Sequence, residues 1–163
     1  MAREILRGRF TAAHDGDVVV FLIGMRVNKP WKVRAWWPVF TAMPPMLKEL
    51  SQDPDSGLLG FRGFFGLRTA TLLQYWESTE KLERFAGDPA RGHRPAWLAY
   101  FRDSFADGAV GIWHETYVVP AGSHESVYGN MPETGLGAVG GVVPVRQRGD
   151  SAAARLGRIG GAA

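Results

Sequence analysis

The run Val18-Val19-Val20-Phe21-Leu22-Ile23-Gly24-Met25-Arg26-Val27-Asn28 constrains the fold more than any other part of the chain. Its β-branched and bulky residues predict a strand. On the two-residue period of a strand, Val19, Phe21, Ile23, Met25 and Val27 share one face, and Val18, Val20, Leu22, Gly24, Arg26 and Asn28 share the other. The first face is uniformly bulky and suits packing under helices. The second is apolar for most of its length, has a gap at Gly24 and ends in Arg26 and Asn28, so it could line a cavity. A strand apolar on both faces has to be covered on both faces.

The segments that follow supply one cover. Residues 31–52 read as helical, with Val33, Trp36, Trp37, Phe40, Met43, Leu47 and Leu50 at helical spacing and Pro38, Pro44 and Pro45 kinking or dividing the element. Residues 58–66 and 69–77 are strand-like, with Leu67-Arg68 between them, and predict a hairpin or a closely connected pair. A helix opens at residue 79, with Thr79 as its cap and Glu80 in the favourable first turn. A second helical run starts at Pro89 and carries Trp97, Leu98, Phe101 and Phe105. Val110–Val119 is the last clear strand. The order strand, helix, strand, strand, helix, strand is the ferredoxin-like βαββαβ pattern of an α+β protein. Its helices cover one face of the sheet, and pairing of two such sheets in a homodimer, as a dimeric α+β barrel, covers the other. On this reading residues 1–17 are an irregular arm, residues 18–145 form the domain with an irregular Gly-rich extension, and residues 146–163 are a disordered tail.

Composition narrows the function. The net charge of +3 arises in the tail, where Arg146, Arg148, Arg155 and Arg158 face a single acid, Asp150. The remainder is balanced and carries no clustered basic run, so no nucleic-acid partner is expected. The longest apolar run, at residues 18–25, is far short of the roughly 20 residues of a spanning helix, so no membrane association is expected either. Residues 1–10 hold three arginines and a glutamate and do not resemble a secretory signal. Cysteine is absent, which removes disulfides, thiolate catalysis and cysteine-held metals. Together these point to a cytoplasmic protein.

Two apparent motifs dissolve on inspection. Gly135-Leu136-Gly137-Ala138-Val139-Gly140 spells G-x-G-x-x-G, but Pro132 precedes it, Gly141-Val142-Val143-Pro144 follows it, and no strand and helix frame it. His114-Glu115 begins a zinc-protease pattern whose second histidine is replaced by Val118, on a strand rather than a helix. Two histidines remain of interest. His114 lies on the last clear strand, either as a hydrogen-bonded core or interface residue or as an acid–base group facing a pocket. His93 stands near the start of the last helix, in Arg91-Gly92-His93-Arg94-Pro95-Ala96-Trp97, where a surface position is the alternative to a ligand. In a βαββαβ fold the helix and the strand after it are neighbours, so both rings can reach one cavity. The six Trp and nine Phe fill a core first, and their abundance also suits a flat apolar pocket.

The run Gly111-Ile112-Trp113-His114-Glu115-Thr116-Tyr117, then Glu125, Tyr128, Gly129-Asn130-Met131-Pro132 and Gly135-Leu136-Gly137, with His93 and Ala96-Trp97 upstream, resembles the small monooxygenase-like family that includes a fumagillin-pathway enzyme. That family, formerly a domain of unknown function, belongs to the dimeric α+β barrel superfamily. The resemblance spans roughly residues 18–145. A weaker similarity is to the haem-dependent aldoxime dehydratases, which place an iron-ligating histidine on a helix and a distal catalytic histidine on the next strand. By that similarity His93 holds haem iron with Trp97 beside it, and His114 moves a proton, with Arg26 as a positional partner. The distal Ser and Arg of the dehydratases find no matching motif here. The implied protein is a biosynthetic enzyme, an oxidoreductase of monooxygenase type or a haem-dependent lyase, that oxidises or dehydrates a small apolar substrate with haem as cofactor. The alternatives are a cofactor-free monooxygenase using the same pocket and a non-catalytic carrier of haem or another small ligand.

Overall fold

The computed structural model describes residues 4–88 and 93–156, without the side chains of residues 93–95 and 103. The chain divides into two compact units, one of residues 20–117 and one of residues 1–19 with 118–163.

The first unit is built on a four-stranded sheet. Its strands are β2 (Val18–Val27), β3 (Leu58–Phe65), β4 (Thr69–Trp76) and β5 (Val110–Val119), in the order β3-β4-β2-β5. The strand β4 is inserted between β2 and β3, which are joined by the helix α1 (Val33–Gln52). This split βαβ order is that of the ferredoxin-like α+β fold, as the element sequence predicts. The hairpin β3–β4 is antiparallel, with Phe61 opposite Gln74 and Phe65 opposite Ala70, and slips register between Leu58 and Gly60. The helices α2 (Thr79–Gly87) and α3 (His93–Asp103) complete the unit. The predicted start of α3 at Pro89 lies outside the described residues.

The bulky face of β2 packs as its pattern demands. Met25, Tyr100 and Val110 are buried together, with Val27, Trp36, Val39, Ala70 and Ile112 against them. Full burial of such side chains contributes about 1.5–3 kcal/mol each. The gap at Gly24 is filled: a methyl group there would lie 2.5 Å from Nε1 of Trp113, whose indole covers the glycine. Further along the sheet Trp76 is completely buried, its Nε1 donating to Oε1 of Gln74 at 2.9 Å, so the buried amide and indole satisfy one another.

Two local expectations are revised. The helix α1 runs through Pro38, Pro44 and Pro45 as one element. Its two halves are held to the same layer, by Trp36 and Val39 near the start and by buried Met46, Leu47 and Leu50 near the end. Thr41 Oγ1 donates to the carbonyl of Trp37 at 2.9 Å within the proline-rich stretch. The cap of α2 is Ser78 rather than Thr79, its Oγ accepting the Lys81 amide.

The second unit corrects the reading of both ends of the chain. The segment read as an irregular arm contains β1 (Leu6–Ala12), the centre of a three-stranded sheet with β6 (Tyr128–Met131) and β7 (Val142–Pro144), in the order β6-β1-β7. Leu6 lies opposite Met131 and Thr11 opposite Val143. The arginines of Leu6-Arg7-Gly8-Arg9 mask the alternation, and the partner strands lie more than a hundred residues away. Residues 146–156, read as part of a disordered tail, continue a 3-10 turn that opens at Val145 and form the short helix α5 (Ala152–Arg155). Val145 is buried. Arg148 pairs with Asp15 and donates to the Ala13 carbonyl at 2.9 Å. The side chain of Arg155 is only 7% exposed, bonding to Glu125 Oε2 at 2.7 Å and to the Gly149 carbonyl at 2.8 Å. Two of the four tail arginines are thereby tied down by ion pairs.

The unit also explains the glycine motif. Gly137 begins the four-residue helix α4 (Gly137–Gly140), and its amide donates to the Tyr128 hydroxyl at 3.0 Å. A methyl at Gly137 would meet Val142 at 2.6 Å and the Tyr128 ring at 2.8 Å. The glycine is there for close packing.

Deleting residues after Val145 should destabilise the protein, and Arg155→Ala alone should cost about 2 kcal/mol, because it removes charge-assisted hydrogen bonds to Glu125 and the Gly149 carbonyl made by a side chain that is itself largely buried. For a chain of this size that is a melting-temperature drop of roughly 4–8 °C. A thermal melt of Arg155→Ala that overlays the parent would show that the pair holds nothing.

Candidate functional site

The first unit contains a cavity of about 710 Å³ between its sheet and its helices. The floor is the helix-facing side of the sheet, including Ile23 and Met25 of β2, Ala70 and Leu72 of β4, and Ile112 and His114 of β5. From β3 come Phe61 and Phe65. The roof is α1, with Val39, Met43 and Leu47, and α3, with Ala96, Trp97 and Tyr100. The cavity therefore lies chiefly on the bulky face of β2, with Gly24 and the Trp113 that covers it also in its wall. The reason is geometric: the floor residues are large enough to separate the layers but do not fill the space the aromatic helices leave. A volume of this size suits a small organic molecule.

Few polar groups reach this space. His114 does, projecting from the edge strand with its ring 5.7 Å from that of Phe21. Tyr100 also lines the wall, but its hydroxyl donates to the Val110 carbonyl at 3.2 Å, and burial raises its pKa above the usual tyrosine value. Arg34 and Lys48 are present from α1. No carboxylate lines the cavity among the described residues.

The expected site residues are thus partly brought together. His114 and Trp97 share the cavity. Arg26 is exposed on β2 and is not part of the wall. His93 opens α3, three residues before the lining residue Ala96, but its side chain lies outside the described residues. Among the described residues no group of three or more His, Asp or Glu side chains could hold a metal ion. Arg34 and Lys48 escape a reading of motifs because nothing local marks them. Their fourteen-residue spacing, close to four helical turns, is the signal that puts both on one face.

On the opposite face of the sheet, Phe64 and Tyr117 are exposed, at 46% and 50%, and Trp113, which also lines the cavity, is 40% exposed. Tyr117 donates to Glu115 Oε2 at 2.8 Å, and that hydrogen bond to a carboxylate raises the tyrosine pKa. Of the family-like residues downstream, Glu125 holds Arg155 and Asn130 accepts the Gly8 amide at 2.9 Å from a backbone φ of 50°. They build the second unit.

The strand order and the layered cavity define a ferredoxin-like α+β protein. The chain belongs to the Monooxygenase af470-like family, whose profile matches residues 18–136. Monooxygenase af470 from Aspergillus fumigatus is 31% identical over 169 residues, a match covering 90% of this chain and 58% of that protein. The chain thus spans little more than half the length of that relative. Among solved structures, it overlaps SnoaB, a cofactor-independent oxygenase from Streptomyces nogalater, with a TM-score of 0.44 at 13% identity, over 62% of this chain and 91% of that one. A putative antibiotic biosynthesis monooxygenase from Caulobacter crescentus gives a TM-score of 0.42 at 15% identity, over 63% and 91%. No helix among the described residues is long and apolar enough to cross a membrane.

Gly24→Ala should force Trp113 aside, costing about 1–3 kcal/mol as overpacked sites do. A lower melting temperature and a shifted tryptophan emission are the expected signs. An unchanged spectrum and melt would mean that the strand absorbs the extra methyl without moving the indole.

Proposed function

We propose that this chain is a monooxygenase-type enzyme domain that takes a small, largely apolar molecule into the cavity and uses His114 as its acid–base group. The observation that carries this reading is the single described imidazole in a wall that is mostly apolar and holds no carboxylate among the described residues. Near-neutral histidine can accept a proton from the substrate and return it later in the reaction. In the cofactor-free form of the reading, the substrate is readily oxidised and its own anion supplies the electrons to dioxygen. The protein then contributes orientation, exclusion of water and proton transfer. Trp97 gives the substrate a flat aromatic wall.

Haem is the weaker form. Its axial ligand would be His93, whose side chain is not described. The described part of α3 offers Tyr100, already committed to the Val110 carbonyl. The described residues do not make a haem site.

Oxygen uptake over a panel of electron-rich enols and hydroxyaromatics tests the proposal. Turnover is expected without added metal or haem, and His114→Ala should lower it roughly 10²–10⁴-fold. Full activity in His114→Ala would remove the assigned role. A Soret band on mixing with haem, lost in His93→Ala, would restore the haem reading.

The working form is a homodimer. The face carrying Phe64, Trp113 and Tyr117 is exposed, and covering several hundred Å² of apolar sheet is worth on the order of 10 kcal/mol. Light scattering at micromolar concentration should give twice the 17.9 kDa chain mass. Trp113→Asp should shift it toward the single-chain value. A parent protein already at that value would rule the dimer out.

A further inference from the structure

The polar groups of the cavity wall are unevenly committed. Each hydroxyl in the described wall is already donated to a backbone carbonyl: Ser51 to Leu47 at 2.7 Å, Ser104 to Ala35 at 3.0 Å and Tyr100 to Val110 at 3.2 Å. What remains to meet a polar ligand atom, besides His114, includes the pair of cations Arg34 and Lys48. Neither makes an ion pair or a side-chain hydrogen bond among the described residues. The wall there has hydrogen-bond donors and positive charge, and no carboxylate faces either cation within it.

A neutral apolar molecule leaves this charge unused. An anionic group uses it, and does so at low cost, because both cations are exposed and neither has to be dragged out of water to create the site. The two lie fourteen residues apart on α1, about 21 Å along the axis, so they mark opposite ends of the roof rather than one joint clamp. A ligand anchored at one end would extend its apolar part along the helix, under Val39, Met43 and Leu47.

We propose that the cavity selects an amphiphile: an apolar body bearing a carboxylate or a similar anionic group, with the anion held at an end of the cavity by Arg34 or Lys48. This rests on the cavity being the substrate site and adds the chemical class of what enters it.

Decanoate and decanol, which share one alkyl chain and differ in charge, test it at neutral pH through quenching of tryptophan fluorescence, with Trp97 in the wall as reporter. Decanoate should bind about tenfold more tightly, as charge-assisted hydrogen bonds predict. The preference should shrink in raised salt and vanish in the Arg34→Gln/Lys48→Gln double variant, one single variant accounting for most of the loss. Decanol affinity should stay the same throughout, which also reports that the variant is folded. Equal affinity for the two ligands in the parent protein, or a preference that survives the double substitution, would overturn the proposal and leave the apolar cavity standing. Saturable quenching by neither ligand would overturn the proposal together with the reading of the cavity as a substrate site.

Discussion

The packing of the bulky face of β2 against α1 and α3 is the interaction on which the first unit depends. Met25, Tyr100 and Val110 form its buried centre, and Trp36 and Val39 bring α1 onto it. Because the sheet contributes large aliphatic side chains and the helices contribute aromatic ones, the layers are held apart as well as together. The cavity is the consequence: it lies beside the packed centre, on the same face, and shares Met25, Val39, Ala70, Tyr100 and Ile112 with it. Core and site are therefore one construction, and a substitution in either is felt in the other.

The second unit works by different means. Its sheet is small and its strands are short, and charge supplies what apolar area does not. Arg148 and Arg155 reach across more than a hundred and across thirty residues of sequence respectively to Asp15 and Glu125. In both pairs the arginine is the largely buried member and the carboxylate the more exposed one, so it is the guanidinium that is costly to leave without its partner. Tyr128, Asn130 and Gly137, all part of the family resemblance, meet one another or β1 through bonds from backbone amides to side chains. Their specificity is that of a packed unit rather than of a catalytic one.

The resemblance identified the family correctly, and of its candidate residues His114 and Trp97 line the cavity while others have different duties. Arg26 follows Met25 on the strand and so points away from the cavity that Met25 floors. Arg34 and Lys48 were invisible for the opposite reason: a cation on an exposed helix turn is the commonest of surface features, and only the presence of a cavity beneath it changes its meaning.

The ferredoxin-like order was legible because periodicity and turn residues are local. Residues 18–28 show both faces of a strand, and residues 58–77 show a hairpin, without reference to anything distant. The face that holds the cavity was not legible, since side-chain volume and the placement of α1 decide it jointly, and Trp113 closing over Gly24 removed the opening that the pattern suggested. The order of residues 6–12 and 146–156 was hidden for a related reason. A short strand with arginines and a tail poor in bulky residues have little reason to order alone. They order because β6, β7, Asp15 and Glu125 wait at the far end of the chain or at its start, and proximity of that kind exists only once the polypeptide has folded.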